Sequence, residues 1–306
     1  MSYKIGVDGG GTKTECMLLD ASGRMIAGHI GAGCNPSIAG PEQAASIVTA
    51  ALASLRAQAA THAAENAGGS GELVGHTLLC MAGHREFWRE YARQLTGFGR
   101  VLTTDDSLPV LELATGGRPG LVLHSGTGSF VAARTTDGAA HYAGGLGWRF
   151  GDPGSGYDLG RRALARGLLE LQGWVTPSRL GAAVRAHAGL ESTADAGTVT
   201  RAYYQHAEPN RHIAALAPAI LRLAAERDAV AREIVLASTG ELLDLAVGVA
   251  TKLFSATLIP TVSAGLSGPI LTHPVVHEAL SARAPFTLTP ITETPIEGVR
   301  RMLARS

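Results

Sequence analysis

A glycine hairpin occurs twice in this chain, and its repetition restricts the fold more than any other feature. In the first copy, residues 4–7 read as a buried strand, Gly9-Gly10-Gly11 as a turn and residues 14–20 as a second strand. In the second copy, residues 120–124 read as a strand, 125–129 as a glycine-rich turn and 130–135 as a strand, closed by Asp137-Gly138. An offset of 117 residues places Gly9 on Gly126, Gly11 on Gly128, Thr12 on Ser129 and Asp20 on Asp137. Matching turns at both ends of a hairpin, at one fixed spacing, are the mark of internal duplication. The chain therefore reads as two copies of one α/β unit.

Other segments fill in these units. Residues 24–30 form a third strand of an antiparallel meander. Residues 42–60 carry Ala44, Ile47, Val48, Ala51 and Leu55 at helical spacing. Residues 61–71 read as an exposed loop. Residues 76–82 and 100–104 are buried strands, with a helix at 86–95 between them. Beyond residue 159 the pattern is mostly helical, at 159–172, 177–187, 212–227 and 228–254. A strand at 259–264, a helix at 274–284, a strand at 286–290 and a helix at 296–305 close the chain. The boundary falls between 107 and 120. This gives a first domain at 1–115 and a second at 116–306, with the 291–306 helix a candidate to pack back on the first.

Composition narrows the function. The 306 residues are 45% hydrophobic and 17% charged, with a formal net charge of zero. This suits a globular chain and points away from nucleic-acid and membrane partners. Cys16, Cys34 and Cys80 form no CxxC pair, which disfavours zinc ribbons and the common iron–sulfur motifs. The first residues lack the shape of a signal peptide. The apolar run 242–254 contains Asp244 and Lys252, and reads as too short and too charged to span a bilayer. The expected compartment is the cytoplasm.

Five motifs carry chemistry. In Asp8-Gly-Gly-Gly-Thr-Lys-Thr14 a strand ends on a carboxylate and enters bare backbone. Gly9, Gly10 and Gly11 let amides approach phosphate oxygens, Thr12 and Thr14 add hydroxyls, and Lys13 adds charge. It is neither a Walker A loop nor a dinucleotide fingerprint. Ser125, Gly126, Thr127, Gly128 and Ser129 repeat the logic with three hydroxyls. Thr103-Thr-Asp-Asp106 ends a strand, where open α/β sheets bind ligands. Asp105 is placed for chemistry there and Asp106 for capping the following helix. Residues 144–157 set Asp152, Trp148 and Arg149 among many glycines, as around a ligand, with Asp158 capping the next helix. Ala264-Gly-Leu-Ser-Gly268 is a strand-to-helix turn at which a flat ring can approach.

Taken together, these motifs resemble the N-acetylglucosamine and glucosamine kinases of the BadF/BadG-type branch of the sugar kinase, Hsp70 and actin superfamily. The resemblance is sharpest at residues 8–15, 103–105, 125–129, 144–160 and 296–303. It implies two duplicated ribonuclease H-like domains with a cleft between them, the second elaborated by helices. It implies ATP and Mg²⁺, with Asp8 oriented toward the metal. Gly9 to Lys13, Ser125 to Gly128, Gly265 and Ser267 fall at nucleotide positions. Asp105 falls at the base that takes the sugar 6-hydroxyl proton, and Asn35, Thr127, Gly145 and Asp152 fall at sugar contacts. A homodimer is implied by the same likeness. N-acetylmuramic acid or another hexosamine remains an alternative substrate. An ATPase that activates a partner enzyme, which requires bridging cysteines, remains an alternative of another class.

Overall fold

The computed structural model describes residues 2–66 and 72–305. It divides into two compact units, one built from residues up to Leu113 together with those from Glu293 onward, the other from Ala114–Thr292.

In the first unit, β1 (Tyr3–Gly9), β2 (Lys13–Leu19) and β3 (Met25–Ala32) form the meander. A short helix α1 (Pro36–Ala39) and the long α2 (Pro41–Glu65) follow. Asn35 caps α1 by accepting from Ser37 N, and proline opens both helices, where its missing N–H has no intrahelical partner to lose. Helix α2 runs on to Glu65, through the first five residues of the segment read as loop. Alanine, the strongest helix former, continues the pattern through Ala59, Ala60, Ala63 and Ala64. Residues 67–71 of that loop lie outside the described residues. Then come β4 (Val74–Met81), α3 (Arg85–Gln94), β5 (Arg100–Asp105) and α4 (Ser107–Thr115), within which the chain passes into the second unit.

The second unit opens with β6 (Gly120–Ser125), β7 (Ser129–Arg134) and β8 (Ala140–Gly144). Helices follow as α5 (Gly156–Leu171), α6 (Leu180–His187), α7 (Ala196–Gln205), α8 (Pro209–Ala214), α9 (Ala217–Ala225) and α10 (Ala229–Leu253). The unit ends with β9 (Ser263–Ser267), α11 (Pro274–Ser281) and β10 (Leu288–Pro290). The last helix, α12 (Pro295–Ala304), belongs to the first unit.

The sheets make the duplication explicit. Their strand orders are β3-β2-β1-β4-β5 and β10-β9-β6-β7-β8. Read from opposite ends, both are a three-stranded antiparallel meander whose first strand is extended by two parallel strands. The hairpin loops differ by one residue. Gly9 pairs with Thr14 across four intervening residues, and Ser125 with Ser129 across three.

Each sheet is covered by helices. Residues of α2, among them Val48, Leu52 and Leu55, share a core with Ile5 and Val7. Ile296, Val299 and Leu303 of α12 share another with Met17, Leu19, Leu78 and Cys80. A Cβ on Gly298 would overlap the Pro109 carbonyl, so this glycine lets α12 lie against α4. In the second unit, α10 packs against β6, β7, α5, α9 and α11, with Val235, Leu242, Leu243 and Ala246 in the core. Helix α10 is long and apolar enough, at mean hydropathy 1.5, to cross a membrane by length and composition. Burial against two layers accounts for an apolar surface on so many sides.

Candidate functional site

Three parallel strands, β1, β4 and β5, lie side by side and end together in the first unit. Asp8 sits at the end of β1 beside Cys80, and Asp105 ends β5 beside Met81. The first hairpin loop turns at Gly10, whose N–H donates to the Lys13 carbonyl (2.9 Å). Two neighbours hold that loop by backbone bonds: Cys34 N donates to Gly10 O (3.0 Å) and Ala82 N to Gly9 O (2.8 Å). Gly9 is packed over Met81 and Cys34 with no room for a Cβ, and Gly33 is packed equally tightly on Gly11 and Thr12. Asn35, one residue beyond Cys34, lies against Gly83. The loop, Asn35 and the strand-end carboxylates are thus brought together in one unit.

The hydroxyls divide between structural and available. Thr14 is buried and donates to the Ala32 carbonyl (2.7 Å), so it is not the phosphate donor its motif suggests. Thr12 and Lys13 are exposed, and Lys13 pairs with Glu15 (2.6 Å).

Electrostatics set the carboxylates apart. Burial pushes Asp8 up to about 7, with Lys13 pulling it down and Glu15 pushing it up. Asp106 is also pushed up to about 7, first by desolvation and then by Asp105 and Asp8. Asp105 is held below the usual range despite its own partial burial, because Ser107 and Arg85 donate to it. Its Oδ1 accepts from Ser107 N (3.2 Å) and Ser107 Oγ (2.7 Å), and its Oδ2 from Arg85 Nε (3.1 Å) and Nη2 (2.8 Å). The capping bonds at the start of α4 therefore come from Asp105, a correction to their assignment to Asp106.

The second unit carries the other loop. Gly126 N donates to Gly128 O (2.8 Å), and the segment before α5 clamps the loop from outside. Ser125 Oγ donates to Gly154 O (2.6 Å), Ser129 Oγ to Pro153 O (2.7 Å), and Gly156 N to Gly126 O (2.8 Å). Both serine hydroxyls are thereby spent, and Thr127 is the exposed one. Asp152 sits at φ 65°, buried, with Oδ1 accepting from Gly147 N (3.2 Å). Burial raises its pKa despite these amides. A Cβ on Gly128 would stand 2.7 Å from Asp152 Oδ2, so this glycine is what admits the carboxylate under the loop. Gly145, at φ 61°, donates from its N–H to Ser129 O (3.1 Å). Helix α5 begins at Gly156 with Ser155 as its cap. Asp158 is no cap but a buried anion taken by Ser238, Arg161 and Arg162.

The late glycine motif resolves into distinct roles. Gly265 lies inside β9, its missing Cβ leaving room for Ala114 and Ile291. Ser267 ends the strand against His124 Nδ1 (3.1 Å). Gly268, at φ 92°, is where the backbone turns onto Ser125. Residue-type reasoning missed Arg85 and the role of Gly268. Nothing in the sequence ties Arg85 to a strand end 20 residues on, whereas the glycine just past a strand was a visible signal.

Two duplicated sheets of this order, each bearing a glycine hairpin at its strand ends, define a two-unit α/β protein of the actin and hexokinase kind. The chain belongs to the BadF/BadG/BcrA/BcrD ATPase family, whose model matches residues 5–265. It is 26% identical over 173 residues to an N-acetylmuramic acid/N-acetylglucosamine kinase of Clostridium acetobutylicum, covering 55% of this chain and 54% of that protein. The match thus spans about half the length of that relative. It is 26% identical over 256 residues to an N-acetyl-D-glucosamine kinase of Dictyostelium discoideum, covering 81% and 79%. A solved structure from Chromobacterium violaceum, provisionally named an N-acetylglucosamine kinase, superposes with a TM-score of 0.77 at 25% identity over 99% of both chains.

Proposed function

We propose that this protein is an ATP-dependent kinase acting on the 6-hydroxyl of an amino sugar, N-acetylglucosamine or glucosamine. The observation that carries the reading is the placement of Asp8 and Asp105 at the ends of β1 and β5, on either side of β4, with a loop of bare amides following Asp8. The names of the relatives support the substrate class.

In this reading the Gly9–Lys13 backbone and the Gly126–Gly128 backbone, with Thr12 and Thr127, hold phosphate oxygens. Asn35, Gly145 and Asp152 hold the sugar. Asp105 accepts the 6-hydroxyl proton at Oδ2 as O6 bonds to the γ-phosphorus and the bridging P–O bond breaks, releasing ADP. The carboxyls fit a hard divalent cation. Asp8 and Asp106 are both desolvated, and Asp8 adds to the cost of ionising Asp106, which a cation would reverse. Among the described residues no cluster of three His, Cys, Asp or Glu forms a cage, so Mg²⁺ would draw its other ligands from phosphate and water. Bound at Asp8, the ion would supply neutralisation of phosphate charge.

The partner-activating alternative needs accessible thiols to bridge a cluster. Cys16, Cys34 and Cys80 are 0–2% exposed, with burial pushing every thiol up.

An ADP-release screen with glucosamine, N-acetylglucosamine, N-acetylmuramic acid, N-acetylmannosamine and glucose tests the assignment. The expected result is release stimulated most by an amino sugar. Equal rates with glucose, or no stimulation by any sugar, would overturn it.

A pH effect on stability also follows. Asp8 has a folded value near 7, above its ordinary one, so its burial favours folding only while it is protonated. That contribution is complete below about pH 4 and is lost as pH rises through about 7. The Mg²⁺-free protein is expected to lose Tm between about pH 5 and 8. Asp8→Asn should flatten that slope, and equal slopes in differential scanning calorimetry would refute the effect.

A further inference from the structure

Arg85 occupies the one oxygen that the proposed base has left for a substrate. A carboxylate oxygen offers two lone-pair directions, and Ser107 N and Oγ fill those of Oδ1 while Arg85 Nε and Nη2 fill those of Oδ2. The two holds differ in kind. Ser107 is buried in the first turn of α4, and releasing Oδ1 would leave its N–H and hydroxyl without their acceptor. Arg85 opens α3 with its side chain 64% exposed, against 20% for Asp105.

The other arginines of α3 pair within the helix, Arg89 with Glu86 (3.1 Å) and Arg93 with Glu90 (2.7 Å). Arg85 alone of the three reaches off the helix, to the end of β5. An exposed ion pair is weak, so a hydroxyl anchored on a bound ring can displace it. A water molecule has no such anchor.

We propose that Arg85 is a positioning residue that gates Asp105, covering Oδ2 until a sugar hydroxyl displaces the guanidinium and so suppressing phosphoryl transfer to water. The suppressed reaction is balanced as follows. Water oxygen bonds to the γ-phosphorus, its proton passes to Oδ2, and the bridging P–O bond breaks to give ADP and phosphate. The inference rests on Asp105 being the base.

The test compares ADP release from Mg²⁺·ATP without sugar and with saturating N-acetylglucosamine, or glucosamine where the screen selects it. Wild type, Arg85→Ala, Arg85→Gln and Arg85→Lys are measured on variants whose circular dichroism matches wild type. The sugar-free fraction should rise about tenfold in the Ala and Gln variants, within the range of general-base assistance. It should rise less with Lys, which keeps the charge but not the fork. Low-millimolar guanidinium should lower it again in Arg85→Ala, and adding Asp105→Asn should abolish the rise.

An unchanged fraction in Arg85→Gln, with Asp105→Asn inactive toward sugar, overturns the gate while leaving the base in place. A rise that persists in the Asp105→Asn background overturns it too. If Asp105→Asn keeps full sugar turnover, the base assignment falls first and takes the gate with it.

Discussion

Asp105→Asn should leave a folded protein that binds sugar and has lost about 10²–10⁴-fold in kcat. The substitution is nearly isosteric. Its amide oxygen can still accept from Ser107 N and Oγ, so the start of α4 keeps its bonds. At the other position an NH₂ replaces an acceptor and faces the Arg85 donors, so the guanidinium fork opens. That pair is exposed on its arginine side, and its loss costs on the order of 1 kcal/mol of stability. What disappears is the ability to take a proton. Sugar affinity by calorimetry, Tm and coupled ADP release separate these effects. Turnover within about threefold of wild type, far short of general-base assistance, would remove Asp105 from its role.

Gly268→Ala carries the largest expected effect in the second unit. The residue sits at φ 92°, and a Cβ there would overlap the carbonyl oxygen of Ser125. Because the obstacle is backbone, no rotamer change relieves it. Either the end of β9 or the second hairpin loop has to move, at a cost of about 1–3 kcal/mol. Displacing a loop by about 1 Å is enough to cost on the order of 10²-fold in a positioned reaction. The expected result is a lower Tm with at least a tenfold rise in KM for ATP. Gly138→Ala is the matched control, since Gly138 has φ 85° but nothing within 4 Å of the added carbon. If both variants show the same KM, the contact with Ser125 has no bearing on the nucleotide.

The hairpins were legible because two different constraints coincide in them. Strand alternation marks their arms, and only glycine tolerates the close approaches at Gly9 and Gly128. The place of Asp105, the proposed base, at a strand end was legible too. The division of labour among hydroxyls was not. Thr14, Ser125 and Ser129 look like Thr12 and Thr127 as letters, and only burial against Ala32, Gly154 and Pro153 tells them apart. Helices α4 and α7 and strand β8 went unread for related reasons. α4 opens with Ser-Leu-Pro, a turn signal, and the central residues of β8 lack an apolar run. The helix read at 212–227 is α8 and α9, separated at Ala215-Leu216 just before Pro218, whose ring disfavours helical continuity.

The return of α12 to the first unit orders events on the ribosome. Every residue of the second unit is translated between the two pieces of the first. Until Ile296, Val299 and Leu303 emerge, the face of the nascent sheet formed by Met17, Leu19 and Leu78 has no cover. Vectorial completion, the usual advantage of an N-terminal domain, is therefore denied to this one, and its bare strands are a natural client surface for a holdase chaperone during synthesis.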